Sequence, residues 1–93
     1  MAHRSPEELA QQLFGAAKKV DVGARYAHYK DPTKEYVVTS LAILEATEEV
    51  GVIYEAQYDT RLVFIRPLSD FCAFVDMNGV PTPRFTKIRG TTE

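Results

Sequence analysis

The feature that most constrains the fold is a change in the spacing of the apolar residues at Val22. Before this point, Leu9, Leu13, Ala16 and Val20 recur at intervals of three or four residues, the spacing of an amphipathic helix. After it, apolar and polar residues alternate, and β-branched and aromatic types dominate, as in strands that bury one face. We therefore predict a mainly β chain preceded by one helix.

The start of this helix is marked by Ser5, Pro6 and Glu8. Ser5 can accept a hydrogen bond from a free backbone N–H, and Pro6 has the backbone angle that the first helical position requires. Glu8, three residues after Ser5, completes a capping box. Gly15 weakens the middle of the helix by roughly 1 kcal/mol relative to alanine. These signals predict a helix over residues 6–20 that needs another element to pack against.

Turn signals divide the rest of the chain into short strands. They include Pro32, the acidic stretch 45–49, the connection 58–61 and the Asn78-Gly79 dipeptide. The predicted strands are 23–29, 35–43, 50–57, 62–66 and 72–76, with 80–83 extended because of its prolines. This pattern favours a small five-stranded SH3-like barrel or a curved antiparallel sheet. We predict a helical extension over 1–21, a β domain over 22–88 and a flexible tail over 89–93.

The apolar pattern also predicts which strand faces are buried. Val37, Leu41 and Ile43 are expected to share one side of the second strand, facing Val50, Val52 and Tyr54 on the third. The run 62–65 is apolar on both faces, and it is therefore expected to be the most buried strand.

Charge and cysteine content exclude several classes of protein. The formal net charge is −2, from 11 Lys+Arg and 13 Asp+Glu, which disfavours a broadly basic nucleic-acid-binding surface. The single cysteine cannot form an internal disulfide and weakly indicates a reducing compartment. The chain has no apolar run long enough to span a membrane and no signal-peptide layout at its start. A cytoplasmic location is therefore predicted.

The common motifs of catalysis and cofactor binding are missing from the sequence. The five glycines are isolated, and His3, His28 and Cys72 are too few and too scattered for a zinc site. We predict no metal, no cofactor and no catalytic residue. Cys72 begins an apolar run, so a small buried thiol is favoured over a nucleophile activated by His28.

The candidate binding residues begin with the segment Tyr26-Ala27-His28-Tyr29-Lys30. Alternation places Tyr26, His28 and Lys30 on one face. If Ala27 and Tyr29 face the core, this strip points outward and could stack on a planar group or bind an anion. The alternative is a histidine satisfied by a backbone partner, with Tyr26 covering the sheet.

Arg66, Arg84 and Phe85 extend this candidate site. Arg66 precedes Pro67, and Arg84 lies between Pro83 and Phe85, so both arginines are held next to rigid neighbours. Such arginines suit a carboxylate, a phosphate or a ring face. The alternative is a structural salt bridge to Asp70, Asp76 or Glu55.

Several segments together resemble a bacterial family, domain-of-unknown-function family 1653. These are Tyr26 to Lys30, Glu35-Tyr36-Val37-Val38, Arg66-Pro67-Leu68 with Phe71, and Pro83-Arg84-Phe85. The resemblance covers about residues 22–87. It implies the limits of the β domain and leaves function open. Here Phe64 stands where members often have tryptophan, and Ile43-Leu44 stands in place of a frequent Arg-His pair, which weakens the case for a basic face.

The leading functional prediction is a non-catalytic binding module for a protein segment or for a small anionic or planar ligand. Its candidate residues are Tyr26, His28, Lys30, Arg66, Arg84 and Phe85. One alternative is a small β-barrel that binds nucleic acid through exposed rings and basic residues. A second is a structural domain that self-associates through its helix or edge strands. A third, weaker alternative is a small enzyme with His28 as general base.

Overall fold

The computed structural model describes residues 4–88 and contains one long helix and seven strands within them. Helix α1 spans Pro6–Ala17. The next elements are β1 (Arg25–His28), β2 (Asp31–Leu44), β3 (Glu49–Ala56), β4 (Val63–Pro67), α2 (Leu68–Phe71), β5 (Phe74–Met77), β6 (Val80–Pro83) and β7 (Phe85–Lys87). The prediction of a mainly β chain with one helix ahead of it is confirmed. The predicted tail over 89–93 lies outside the described residues.

The main sheet is antiparallel and open. Its order is β4-β3-β2-β1-β7, while β5 and β6 form a separate two-stranded hairpin. The prediction of a curved antiparallel sheet or a barrel is thus resolved in favour of a sheet, and the closed SH3-like barrel is wrong. The predicted strand 72–76 becomes β5, which pairs with β6 across the Asn78-Gly79 turn and does not return to β4. The fifth strand of the main sheet is β7, which pairs with β1.

The predicted capping box of α1 is confirmed. Ser5 Oγ accepts a hydrogen bond from the Glu8 backbone N–H (3.2 Å), and the Glu8 carboxylate accepts one from the Ser5 N–H (2.8 Å). The helix ends at Ala17 rather than at residue 20. A turn then follows in which the Val20 N–H donates to the Ala16 carbonyl, and this turn places the Val20 side chain in the core.

A β-bulge at Thr39 changes which residues of β2 face the core. The register with β3 shifts between Val38 and Ser40, so that Val38 faces Tyr54 and Leu41 faces Val52. Val37 pairs with Glu55 on the opposite face. The prediction that Val37 shares a side with Leu41 is therefore wrong, because the extra residue shifts the alternation by one position.

The segment 62–65 is also placed differently from the prediction. Leu62, Val63, Phe64 and Ile65 are 59%, 59%, 40% and 53% exposed. They belong to β4 and its approach, at one edge of the sheet. The expectation that this is the most buried strand is wrong, because an edge strand has a neighbour on one side alone.

The core lies on one face of the sheet, which we call the core face. Val38 and Val52 are fully buried there, beneath Val20 from the turn after α1 and Phe71 from α2. Helix α1 covers the end of this face near Val50, where it contacts β2 and β3. The opposite end of the core face has no helix over it within residues 4–88. No helix of the described chain is long and apolar enough to cross a membrane.

Candidate functional site

A cleft of about 330 Å³ lies at the uncovered end of the core face. We call it the aromatic cleft. Its rings are His28, Tyr36, Tyr54, Tyr58, Phe64 and Phe85, and its remaining lining residues are Lys30, Asp31, Lys34 and Arg66. Five of the six rings belong to tyrosine or phenylalanine, and three of the four other side chains are cations. The surface therefore combines ring faces and edges with an excess of positive charge.

Strand register brings these residues together. Tyr54 of β3 lies opposite Phe64 of β4, and Arg66 follows two positions later on the same face. His28 of β1 lies opposite Phe85 of β7 and, through the tight turn at 29–30, opposite Asp31 at the start of β2. All five strands of the main sheet thus contribute to one end of one face.

Phe85 forms the floor of the cleft and is only 8% exposed. Its ring stacks on Phe71 of α2, with centroids 4.2 Å apart and planes within 6°. The rings of Tyr54 and His28 meet Phe85 edge to face at 5.3 Å and 5.0 Å. Such contacts fix the ring positions before any ligand arrives.

Arg66 is held by groups that leave its charge uncompensated. Its Nε donates to the Tyr54 hydroxyl (3.3 Å), and its guanidinium lies 5.9 Å from the centre of the Phe85 ring. Within residues 4–88 it has no carboxylate partner. Arg84 instead donates from Nε to the backbone carbonyl of Asp70 (3.1 Å). The alternative expectation of salt bridges from these arginines to Asp70, Asp76 or Glu55 is therefore wrong.

His28 is uncharged at neutral pH and has one ring N–H to donate. Its Nδ1 accepts a hydrogen bond from the Lys30 backbone N–H (3.2 Å), which places the ring proton on Nε2. Burial lowers the pKa of His28, and the positive charges of Arg66, Arg84 and Lys30 lower it further. The backbone partner that one interpretation expected is present, and the ring still lines the cleft.

A pair of tyrosine hydroxyls closes another side of the cleft. The hydroxyls of Tyr36 and Tyr58 are 2.5 Å apart. Burial, followed by this hydrogen bond, raises the pKa of Tyr36 to about 12, so the Tyr36 hydroxyl stays protonated at neutral pH. Lys34 Nζ lies 5.0 Å above the Tyr58 ring. The Asp31 carboxylate accepts from the Thr33 N–H and hydroxyl, and these bonds lower the pKa of Asp31.

The sequence-predicted candidates are divided between cleft and core. His28, Lys30, Arg66 and Phe85 line the cleft, and Arg84 lies near enough for its charge to act on His28. Tyr26 is 6% exposed in the core, where its hydroxyl accepts the Asp21 N–H (3.0 Å).

The Tyr26 and His28 side of β1 is the core face, so the condition under which these residues would point outward, with Ala27 facing the core, is not met. Ala27 pairs with Glu35 and Thr86 on the other face.

Sequence reasoning did not select the remaining lining residues, Asp31, Lys34, Tyr36, Tyr54, Tyr58 and Phe64. Tyr36 and Tyr54 could have been found by following the core-face alternation along β2 and β3, where Tyr36 lies two positions before Val38 and Tyr54 two positions after Val52. Tyr58 lies beyond β3 in a connection whose path the alternation does not predict.

A second cavity, of about 380 Å³, lies between α1, α2 and the start of β3. Cys72 lines it together with Lys19 and Glu49 and is exposed, so the expectation of a buried thiol is wrong. Burial of the sulfur still raises the pKa of Cys72, which makes it a weak nucleophile at neutral pH. Cys72 and His28 line different cavities. The described chain holds no group of three His, Cys, Asp or Glu side chains that could bind a metal.

Comparison with known proteins gives a family and a similar structure. The family described as "Protein of unknown function (DUF1653)" matches residues 24–87. A crystal structure of a DUF1653 protein from Bordetella bronchiseptica is similar, with 28% sequence identity and a TM-score of 0.64, over 81% of this chain and 96% of that one. A comparison with curated proteins finds no match. Because the family match spans more than half of the chain and ends with the last strand of the sheet, this chain belongs to the DUF1653 family.

Proposed function

We propose that the aromatic cleft is a non-catalytic binding site for a small anionic ligand that carries a planar group. The observation that carries this proposal is Arg66, a guanidinium oriented by Tyr54 and Phe85 without a carboxylate partner among the described residues. An arginine held in this way has its position fixed before binding, so little conformational entropy is lost when it pairs with an anion.

The local charge supports an anion. Lys30, Lys34 and Arg66 line the cleft against one carboxylate, Asp31, which is engaged by Thr33. The whole chain carries a formal charge of −2, so the cleft is a positive region on an acidic protein. Anions are thus attracted to this place rather than to the surface in general.

The cleft walls support a planar group. Tyr58 and Phe64 stand around the fixed floor of Phe85, and their rings offer faces for stacking. The volume of about 330 Å³ is near the lower end of small-molecule sites, which suits a single ring with its substituent. A protein segment with an acidic and an aromatic side chain would use the same groups.

The geometry gives less support to a small enzyme and to a nucleic-acid-binding domain. A histidine base is usually oriented by a carboxylate, whereas the Nδ1 of His28 is bonded to a backbone N–H and Asp31 is bonded to Thr33. A nucleic-acid-binding surface would require a groove of basic side chains that follows the phosphate backbone. The basic side chains of the cleft are confined to one end of the sheet. A cytoplasmic location, which the sequence predicts from its single cysteine and from the lack of a membrane-spanning run and of a signal-peptide layout, stays a prediction.

Three related probes test the proposal by NMR titration of the full chain. Benzenesulfonate carries a ring and a fixed negative charge, benzenesulfonamide has the ring without the charge, and methanesulfonate has the charge without the ring. We expect benzenesulfonate to bind most tightly and to shift the resonances of His28 and Phe85. Arg66→Ala should weaken its binding by about 10- to 100-fold, the range for loss of a charge-assisted hydrogen bond.

Arg25→Ala is the matched control, because it removes the same charge from the other face of the sheet, where Arg25 pairs with Glu35. Equal affinities in the two variants, or equal binding of all three probes, would contradict the proposal.

A further inference from the structure

Beside the aromatic cleft, the edge of β4 that has no neighbouring strand within residues 4–88 is an apolar surface. Val63 and Ile65 point to the outer face of the sheet and are 59% and 53% exposed, and Leu62, just before the strand, is 59% exposed. Phe64, on the core face, is 40% exposed. Both faces of this edge are therefore apolar and in contact with water.

The register identifies which backbone groups of β4 have no partner within the described sheet. The Ala56 N–H donates to the Leu62 carbonyl, so these two residues form a hydrogen-bonded pair between β3 and the approach to β4. Because such pairs alternate along an antiparallel ladder, Phe64 and Arg66 also bond toward β3. Val63 and Ile65 consequently direct their N–H and C=O groups away from the sheet.

The first part of this edge lacks the usual features that prevent strands from associating. Its register with β3 is regular, and its charged residue and its proline, Arg66 and Pro67, stand at the last two positions. The opposite edge of the sheet is different, since β7 has only three residues and ends in Lys87. An unprotected apolar edge of this kind is suited to pairing with another strand.

We propose that β4 pairs antiparallel with β4 of a second copy of this chain. A twofold axis at Phe64 places Val63 opposite Ile65 of the second copy and Ile65 opposite its Val63. All four outward N–H and C=O groups of these two residues are then satisfied on each chain. Moving the axis to Ile65 would pair Val63 with Pro67, which has no N–H to donate. Moving it to Val63 would pair Ile65 with Arg61, whose positive φ of 58° takes it out of the strand.

The same register is favourable for the side chains. Val63 and Ile65 form apolar pairs on the outer face, and the two copies of Phe64 meet on the core face. Arg66 falls opposite Leu62 and Arg61 opposite Pro67, so no two cations face each other. A second copy therefore matches the backbone groups and the apolar side chains of this edge without placing two cations opposite each other.

The size of the surface indicates a weak, reversible dimer. With about half of each side chain exposed, the four apolar residues offer roughly 400 Å² per copy, which is typical of a single functional patch. Two such patches with their backbone edges come to about 1,000 Å², the lower limit of a specific interface. We expect a dissociation constant of about 10⁻⁵ to 10⁻⁴ M.

Sedimentation equilibrium of the full chain between 10 μM and 1 mM tests the proposal. The wild type should pass from monomer to dimer, and Ile65→Lys should remain monomeric with an unchanged circular dichroism spectrum. Val80→Lys is the matched control, because Val80 is equally exposed, at 60%, on the β5–β6 hairpin. This variant should dimerise like the wild type.

A cysteine at the axis tests the register. In a Cys72→Ser background, Phe64→Cys should form a disulfide-linked dimer on mild oxidation, because facing residues of a non-hydrogen-bonded pair lie about 4.5 Å apart at Cα. Ile65→Cys should react at least severalfold more slowly, since its equivalents are offset along the strands. A monomeric wild type at 1 mM, a dimer that survives Ile65→Lys, loss of the dimer in Val80→Lys, or equal crosslinking of the two cysteines would overturn the proposal.

Discussion

Arg25 and Arg66 show how the surroundings of one side chain determine its role. Arg25 lies 3.0 Å from the Glu35 carboxylate, and the two half-exposed charges offset each other. Arg66 lies against a hydroxyl and a ring, and its charge therefore acts on its neighbours in the cleft. His28 responds most directly, because burial and the nearby cations both disfavour its protonated form.

This response predicts that binding of an anion is linked to the uptake of a proton. An anion beside Arg66 offsets the positive charges around His28 and raises its pKa, so His28 takes up a proton when the ligand binds. The affinity for benzenesulfonate, whose own charge is constant, should therefore increase as the pH falls from 8 to 5.5. The affinity increases by at most about tenfold for each unit by which the bound anion raises the pKa of His28.

Calorimetry in buffers of different ionisation enthalpy measures this proton uptake directly. His28→Asn is the informative variant, because an amide oxygen can accept the Lys30 N–H in place of Nδ1. We expect it to bind with an affinity that varies little over the same pH range. A pH dependence that persists in His28→Asn would assign the proton to another group.

At the scale of elements, local signals predicted much of the fold. The start of α1 follows from Ser5, Pro6 and Glu8, which act on each other within one turn. The ladder of β1, β2 and β3 follows from alternation. What the sequence did not predict depends on partners far along the chain. The bulge at Thr39 is visible only from its pairing with β3, and the edge position of β4 only from the absence of a further strand beside it in the described sheet.

The candidate site was predictable to a similar degree. His28, Lys30, Arg66 and Phe85 were selected for their chemistry, and they line one cleft. Tyr26 was selected by the same alternation as His28 and lies in the core, because α2 covers its part of the face. Whether a core-face ring is buried or lines a cleft depends on where the covering helices end, and local sequence patterns do not contain that information.

Gly15 allows a test of how much a glycine inside α1 lowers the stability of the protein. It lies inside the helix, and a β-carbon built at this position meets no atom within 4 Å. Gly15→Ala should therefore raise the free energy of unfolding by about 0.5–1 kcal/mol, by lowering the backbone entropy of the unfolded chain. Thermal unfolding followed by circular dichroism measures the change.

Gly51→Ala is the contrasting variant, since its β-carbon would lie 3.0 Å from Ile65 Cδ1 and 3.2 Å from Leu44 Cγ. We expect it to be destabilising. If both alanines changed stability in the same direction, space at the two positions would not explain the effects.

At the scale of the whole molecule, the described chain is a five-stranded main sheet covered on one face, with the β5–β6 hairpin beside it. Helix α1 and the turn after it cover one end of that face, α2 covers the middle, and the aromatic cleft occupies the end that remains. The cleft thus lies where neither α1 nor α2 covers the sheet within residues 4–88. Because the family match begins at residue 24, α1 lies outside the matched segment although Val20 beside it is in the core.

This arrangement predicts that the chain does not fold normally without its first 21 residues. Removing them takes away Ala16 and Val20, both 1% exposed, and uncovers Val38 and Val52. Each buried valine contributes about 1.5–3 kcal/mol, so the loss approaches the total stability of about 5–14 kcal/mol expected for a chain of this size. Residues 22–93 should show no cooperative thermal transition, whereas Val20→Ala in the full chain should unfold cooperatively at a lower temperature. A shortened chain that melts as sharply as the full one would contradict this prediction, and residues 1–21 would then be an extension on which the β domain does not depend.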